Sequence, residues 1–436
     1  MSNIALSLYS ALMRVAQPLL RRRIARRSIL EPGYGQAIDE RFGRYVQPAE
    51  THSQLVWLHA VSLGETRAAS VLLGRLRVDH PGLRLLLTHG TATGRAEGLE
   101  LLRPGDVQVW QPWDTLTVVE RFFAHFKPRV GLLMETEVWP CTVAVSAKHN
   151  MPLLLCNGRL SEKSFHQALR MSPLALPAYA ALTAVYAQTA ADADRYRKLG
   201  APKVHVFGNL KFDAGLDAGQ QATGKAWRQA ITRPVVVFAS SREGEESLFI
   251  EQISAVAQEI QARIATDNIA IQWLVVPRHP QRFDAVAALV VQSGLTLSRR
   301  SSWRTNPLES PEAMQADVWL GDSLGEMALY YSLSRAALLG GSFAPLGGQN
   351  LIEAASAGCP VIMGPHTFNF AEAAQLAVES GAALRCADME RAVDAAVHLV
   401  RDQSAQSQMS EAATAFASSH RGATDRTAEA LASYLV

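Results

Sequence analysis

Leu55-Val56-Trp57-Leu58-His59-Ala60-Val61-Ser62-Leu63-Gly64-Glu65-Thr66 opens on an uninterrupted apolar run, ends it at His59 and turns through Ser62 and Gly64 toward a helical pattern. A continuous apolar run of strand length followed by a helix reads as a βα unit in a parallel sheet buried on both faces. Working outward, the same pattern returns at Leu83 to Thr88, Val130 to Met134, Leu153 to Cys156, Thr183 to Ala187 and Val204 to Phe207. A second series begins at Val235 to Ala239 and continues through Ile271 to Val275, Val318 to Leu320, Ala336 to Leu339 and Val361 to Met363. Strands alternating with helix-length segments predict an α/β class with two consecutive doubly wound sheets. The length of 436 residues accommodates that at about 150 residues per domain. The stretch from Gly208 to Thr232, with Asp213, Gly215, Gly219 and Gly224, reads as the linker.

Composition excludes several classes. Lys and Arg total 42 against 40 Asp and Glu, so no overall field holds nucleic acid. Cys141, Cys156, Cys359 and Cys386 are scattered through apolar contexts without a close pair or a companion His spacing, which reads as reduced, buried thiols and no metal site. A Walker-type glycine loop is missing, as is a Gly-x-Gly-x-x-Gly after the first strand, so ATP hydrolysis and dinucleotide redox chemistry lack their markers.

The segment from Ile4 to Leu20 is mostly apolar but is interrupted by Arg14, Gln17 and Pro18 and followed by Arg21, Arg22, Arg23, Arg26 and Arg27. A clean span needs about 20 apolar residues, and the basic cluster follows the apolar stretch where a secretory signal would place it first. The order predicts an interfacial or marginally spanning anchor whose basic end stays cytoplasmic, against the alternative of an amphipathic helix docked on the protein.

Chemistry-bearing residues gather directly after the apolar runs, where open α/β sheets bind ligands. Ser62, Gly64 and Glu65 form a strand-to-helix turn that serves either as an anion site or as a plain capped turn. Glu135 and Glu137 place two carboxylates at the mouth of a wholly apolar strand, before Trp139-Pro140. In the second half, Ser240-Ser241-Arg242-Glu243-Gly244-Glu245-Glu246 joins strand to helix, and Arg278 stands between Pro277 and His279-Pro280, suited to a phosphate. Gly321 to Met327 supplies a turn whose backbone, at Gly325, Glu326 and Met327, is placed to read a base. Gly340-Gly341-Ser342 and Gly347-Gly348-Gln349-Asn350 precede Glu353; their amides are candidates to cradle phosphate, with Glu353 accepting from ribose hydroxyls. Tight turns packed for shape are the structural alternative.

These segments, in this order, resemble the Kdo transferases of lipopolysaccharide synthesis. The resemblance runs from Asp39-Glu40-Arg41-Phe42-Gly43 to Gly364-Pro365-His366-Thr367-Phe368-Asn369-Phe370 and is most diagnostic at Met134 to Pro140, at Asn209-Leu210-Lys211-Phe212-Asp213 and at Val276 to Pro280. It implies a GT-B fold, two Rossmann-like parallel-sheet domains facing across a cleft, with an N-terminal membrane-associated helix. The implied organisation is a membrane-associated segment at 1–35, an acceptor domain at 36–210, a linker at 211–232, a CMP-Kdo domain at 233–410 and a C-terminal helix at 411–436 returning to the first domain. By the same matching Glu40 is the general base. Ser62, Gly64, Glu65, Glu135 and Glu137 face the acceptor, while Lys211, Ser241, Arg278, His279, Gly325, Glu326, Met327, Gly341, Ser342, Gly348, Asn350 and Glu353 face the donor. Arg242 and Gln349 depart from the His usual in the family, Ala60 from Ser and Gly158 from Ala.

The implied reaction is inverting transfer of Kdo from CMP-Kdo to a lipid A precursor at the cytoplasmic face of the bacterial inner membrane. Its transition state resembles an oxocarbenium ion with charge developing on the departing phosphate, which an Arg and helix-terminal amides stabilise without a cofactor or metal. The implied partners are the CMP-Kdo donor, the lipid A precursor and an anionic membrane surface, which the Arg21 to Arg27 cluster suits. Rival readings are another sugar-nucleotide enzyme, either a UDP-sugar transferase or a nonhydrolysing epimerase, and a catalytically silent membrane adaptor.

Overall fold

The computed structural model describes residues 3–52, 54–262, 270–303 and 306–435. Met1, Ser2 and Val436, at the outer ends of the first and last expected segments, lie outside the described residues. The chain forms two units, Met1–Ala214 with His420–Val436, and Gly215–Ser419.

Unit 1 is built on a seven-stranded parallel sheet of β1 (Leu55–His59), β2 (Arg84–His89), β3 (Val107–Trp110), β4 (Val130–Met134), β5 (Leu153–Gly158), β6 (Ala184–Ala187) and β7 (Val204–Val206). The order across the sheet is β3-β2-β1-β4-β5-β6-β7. Successive side chains of β1 go to opposite faces. Leu55 and Trp57 enter one core with Phe122, Phe123 and Phe126 of the helix Leu116–Phe126. Val56 and Leu58 enter the other, with Leu72, Leu73 and Leu76 of the helix Leu63–Asp79. Each such side chain contributes about 1.5–3 kcal/mol by burial, which is why both parities of the strand are apolar.

The helix Ala423–Leu435 completes that second core through Ala423, Ala428 and Leu431. Its attachment is polar as well. The Asp213 carboxylate accepts from the amides of Gly422 and Thr424, each at 2.6 Å, at the amino end of the helix.

Unit 2 contains β8 (Val235–Ser241), β9 (Gln272–Pro277), β10 (Leu297–Arg299), β11 (Val318–Leu320), β12 (Ala336–Leu339), β13 (Val361–Met363) and β14 (Ala383–Arg385), all parallel, in the order β10-β11-β9-β8-β12-β13-β14. Phe238, Trp273 and Leu338 pack there with Phe249 and Ile253 of the helix Glu245–Ala262. Within the stretch read as a linker, the turn Leu210–Asp213 lies in unit 1 and the helix Ala218–Ala230 packs on Met327–Leu333 in unit 2. Gly224 makes that approach possible, because a Cβ there would lie 2.5 Å from the Leu329 carbonyl oxygen.

Three strands escape the sequence pattern: β3, β10 and β14. Each has three or four residues; β10 carries Ser298 and Arg299, β14 carries Arg385, β3 carries Gln108, and all three end a sheet. Edge strands need little two-sided apolar character, so they leave little trace.

At the amino end, Asn3–Val15 and Gln17–Leu30 are helices, and no helix among the described residues is long and apolar enough to cross a membrane. A membrane-spanning anchor is therefore not supported. The first helix is docked on unit 1 by polar contacts: Ser10 Oγ accepts from the Leu116 amide at 3.0 Å, Trp113 Nε1 donates to the Met13 carbonyl at 2.8 Å, and Arg14 donates to Thr117 Oγ1 at 2.7 Å. The opposite side carries Ile4, Leu8, Leu12, Val15 and, in the next helix, Leu19, all exposed.

Replacing Asp213 by Ala removes both acceptors at the start of the last helix. Unfolding of the full chain in urea is expected to show a loss of about 1–2 kcal/mol, with Asp213→Asn recovering part of it.

Candidate active site

In unit 1 the chain leaves β1 toward β2 on one side and reaches β4 on the other, so the order reverses between β1 and β4. Ligands of open α/β sheets bind beyond the carboxyl ends of the strands at such a reversal. The loops there carry Ser62, Gly64 and Glu65 after β1 and Glu135 and Glu137 after β4. Ser62 caps the helix Leu63–Asp79, accepting from the Glu65 amide. Glu65 answers by accepting from Ser62 Oγ and from the Val61 amide, both at 2.8 Å. This is a capping box with one partner shifted by a residue.

The box does not settle the charge of Glu65. Burial pushes its carboxyl up to about 7, the bond from the Val61 amide resists, and the nearby charges of Glu137 and Glu135 push the same way as burial. Glu137 behaves oppositely. Burial disfavours its ionisation, but His59, whose Nε2 stands 3.7 Å away, and Trp139 Nε1 at 2.8 Å outweigh it and hold the carboxyl below its ordinary range. Two neighbouring acids therefore ionise at different pH, the arrangement that separates acid and base roles.

Glu135 lies in left-handed backbone at φ +55°, and Asn157 at the end of β5 does the same at +55°. Such conformations cost about 1–3 kcal/mol in a non-glycine residue and concentrate at functional sites. Asn157 Oδ1 accepts from the Leu210 amide at 3.0 Å, which seats the Leu210–Asp213 turn, and Lys211 Nζ on that turn donates to Glu135 Oε1 at 2.9 Å. The structure thus places Lys211 in unit 1 beside the acidic residues.

Glu40, the base that the family resemblance implies, lies in a closed set of partners. Its residue is buried, Oε2 accepts from Arg95 Nη1 at 2.7 Å and from the Trp110 amide at 2.9 Å, and Oε1 accepts from Gln47 Nε2 at 2.9 Å. A carboxylate buried this way is stable because its lone pairs are met. Glu40 ties the turn Ile38–Phe42 to β3 and to the helix Ala92–Leu99.

In unit 2 the order reverses between β8 and β12. Ser241, at the end of β8, is buried; its hydroxyl donates to Glu246 and its carbonyl accepts from the Arg278 amide at 3.0 Å. Three basic side chains converge after β8 and β9. Partial burial and the charges of Arg242 and Arg278 together lower the His279 pKa, which records local positive potential suited to an anion. Arg242, which departs from the His usual in the family, belongs to this group.

In the glycine loops the amides expected to meet a phosphate have partners within unit 2. The Gly341 amide donates to Glu245 at 2.7 Å and the Gly348 amide to the Gly341 carbonyl at 2.7 Å, so neither is open to a phosphate. Ser342 Oγ donates to the Leu339 carbonyl and accepts from the Gly364 amide. These residues shape the loop. Asn350 Nδ2 donates to Glu353 at 3.0 Å while its Oδ1 accepts from the Ile352 amide, which fixes the start of the helix Ile352–Ser356. Gly325, at φ +79°, has open space where a side chain would stand, and Glu326 is bonded by Arg300 at 2.7 Å and Tyr330 at 3.1 Å ahead of the helix that begins at Met327.

Among the described residues no group of His, Cys, Asp and Glu is arranged to hold a metal ion. His59, Asn157, Glu245 and Arg300 were not among the site residues expected from the sequence, and each has a partner far away along the chain.

Comparison with known proteins places this geometry. The family model for 3-deoxy-D-manno-octulosonic-acid transferase (kdotransferase) matches residues 36–214. A 3-deoxy-D-manno-octulosonic acid transferase of Bordetella pertussis is 47% identical over 385 residues, 87% of each chain, and one of Haemophilus influenzae is 31% identical over 439 residues, 98% of each chain. Among solved structures, a UDP-GlcNAc 2-epimerase from Neisseria meningitidis superposes with a TM-score of 0.57 at 14% identity, covering 86% of this chain and 99% of its own, which shows the fold alone. With near-full-length identity of 47% to one such transferase and the two parallel-sheet units in place, the chain belongs to the 3-deoxy-D-manno-octulosonic acid transferase family of glycosyltransferases.

Proposed function

We propose that the chain transfers Kdo from CMP-Kdo to a hydroxyl of a lipid A precursor, with inversion, and that Glu65 is the base. The observation that carries the assignment of the base is the Glu65 carboxyl itself, at a strand end on the reversal of the sheet, pushed up to about 7. A base is most effective when its pKa lies near the working pH. As the acceptor oxygen bonds to the anomeric carbon, that carbon's bond to the CMP phosphate breaks and the hydroxyl proton passes to Glu65. The CMP phosphate leaves as an anion, and Arg242, Arg278 and His279 supply the positive potential that favours it. Family membership supports the donor and acceptor; Glu135 with Lys211, and Glu137 with His59, support the acidic side of the site.

The amino-terminal helices support a peripheral contact with the cytoplasmic face of the inner membrane. Ile4, Leu8, Leu12, Val15 and Leu19 recur every three or four residues on the side away from the docked one, and exposed Arg22, Arg23 and Arg26 follow. An apolar stripe beside a basic cluster suits an interface rich in anionic lipid.

Steady-state rates across pH test the base. In the wild type kcat/KM should rise with pH through about 7, since only the ionised carboxyl accepts a proton. Glu65→Gln should lower kcat about 100- to 10,000-fold and abolish that limb. Glu40→Ala should instead strip Arg95 of its buried partner and lower stability by about 3 kcal/mol, with turnover per folded molecule close to wild type. The reverse pattern returns the role to Glu40.

Arg278→Ala should reduce kcat/KM for the donor about 10- to 150-fold, the equivalent of about 1.5–3 kcal/mol, and leave the acceptor KM unchanged. Sedimentation with phosphatidylglycerol vesicles should show binding that weakens at high salt and falls more than tenfold in the pair Leu8→Glu and Leu12→Glu, without a change in Tm; neutral phosphatidylcholine vesicles should bind less. Equal binding of the variant pair would remove the stripe from this role.

A further inference from the structure

Glu245 is wholly buried at the start of the helix Glu245–Ala262. Its two carboxylate oxygens accept from four backbone amides. Oε2 takes Gly341 at 2.7 Å and Arg242 at 3.0 Å, while Oε1 takes Phe343 at 3.0 Å and Ala344 at 3.1 Å. Three of those amides belong to the loop after β12 and one to the loop after β8, the two adjacent strands at which the order of the sheet reverses.

We infer that Glu245 is a positioning residue for the donor, a carboxylate from the chain itself that occupies the amide nest after β12 and clamps that loop to the one after β8. The clamp rests on the reading of unit 2 as the donor unit. Its geometry is tight. Ser240 sits in left-handed backbone at φ +56°, and a Cβ on Gly340 would lie 2.3 Å from the Ser240 carbonyl oxygen. Two backbones brought this close, each with amides pointing at one spot, need an acceptor there. Glu245 fills the need and, by holding the Arg242 amide, sets the segment from which the Arg242 side chain departs. The Arg278 amide bonds to the Ser241 carbonyl one residue earlier, so the second cation is referred to the same frame. Positive charge is thereby placed for a nucleotide phosphate by a residue that does not touch it.

The test uses the full chain and CMP as the probe. Glu245→Gln keeps the shape but turns an NH2 group toward amides that themselves donate; Glu245→Asp keeps the charge on a shorter arm. Calorimetric titration with CMP is expected to show affinity lowered at least tenfold in Glu245→Gln and by a smaller factor in Glu245→Asp. The donor KM should rise in step while the acceptor KM stays within twofold of wild type, a split that a purely structural role does not produce. CMP affinity within twofold of wild type in both variants overturns the inference, as does a fall of donor and acceptor parameters together in proportion to the fraction folded. If Glu245→Gln fails to fold, Glu245→Asp decides by the same criteria. Wild-type chain that does not bind CMP at all overturns the donor reading of unit 2, whereas wild-type binding that survives undiminished in the variants overturns the clamp alone.

Discussion

The burial of the Glu65 carboxyl, reinforced by repulsion from Glu137 and Glu135, is the constraint on which the site turns. Like charges gathered at the ends of two adjacent strands, β1 and β4, disfavour one another's ionisation. Glu135 has Lys211 and Glu137 has His59 and Trp139, which leaves Glu65 with two neutral donors and the highest demand for its proton. The sign for stability follows. Because its folded pKa lies above the ordinary 4.5, Glu65 favours the fold when protonated, and that contribution is lost as pH rises through about 7. A group that costs the fold something at neutral pH is the kind of group a reaction retains.

Buried glutamates in this chain separate by what meets them. Glu40 is met by a guanidinium, an amide and a carboxamide, and Glu245 by four amides; both are complete and both hold loops together. Half-buried Glu65 instead has the charges of Glu137 and Glu135 near it. Parallel sheets make such contrasts possible, since their strands are consumed by two cores and polar groups collect at the carboxyl ends.

The doubly wound class was legible because β1, β4 and β8 are apolar at nearly every position, a pattern that buried parallel strands require. Strands β3, β10 and β14 were not, since an edge strand of three or four residues needs no such pattern. The turn holding Ser62, Gly64 and Glu65 could be seen, yet the charge state of Glu65 depends on residues after another strand. The surroundings of Glu40 were hidden for the same reason: its partner Arg95 stands 55 positions away, and no local pattern announces burial. The glycines of the β12 loop read as phosphate ligands because nothing near them in sequence shows that Glu245, 96 positions earlier, takes the Gly341 amide.

Chemistry on the intact chain tests the central claim most directly. Purified protein incubated with a CMP-Kdo generating system and tetraacylated lipid A precursor should yield, by mass spectrometry, precursor carrying added Kdo, with CMP released in equal amount. Folded protein that leaves the precursor mass unchanged, or that accepts a UDP-sugar in place of CMP-Kdo, would contradict the account.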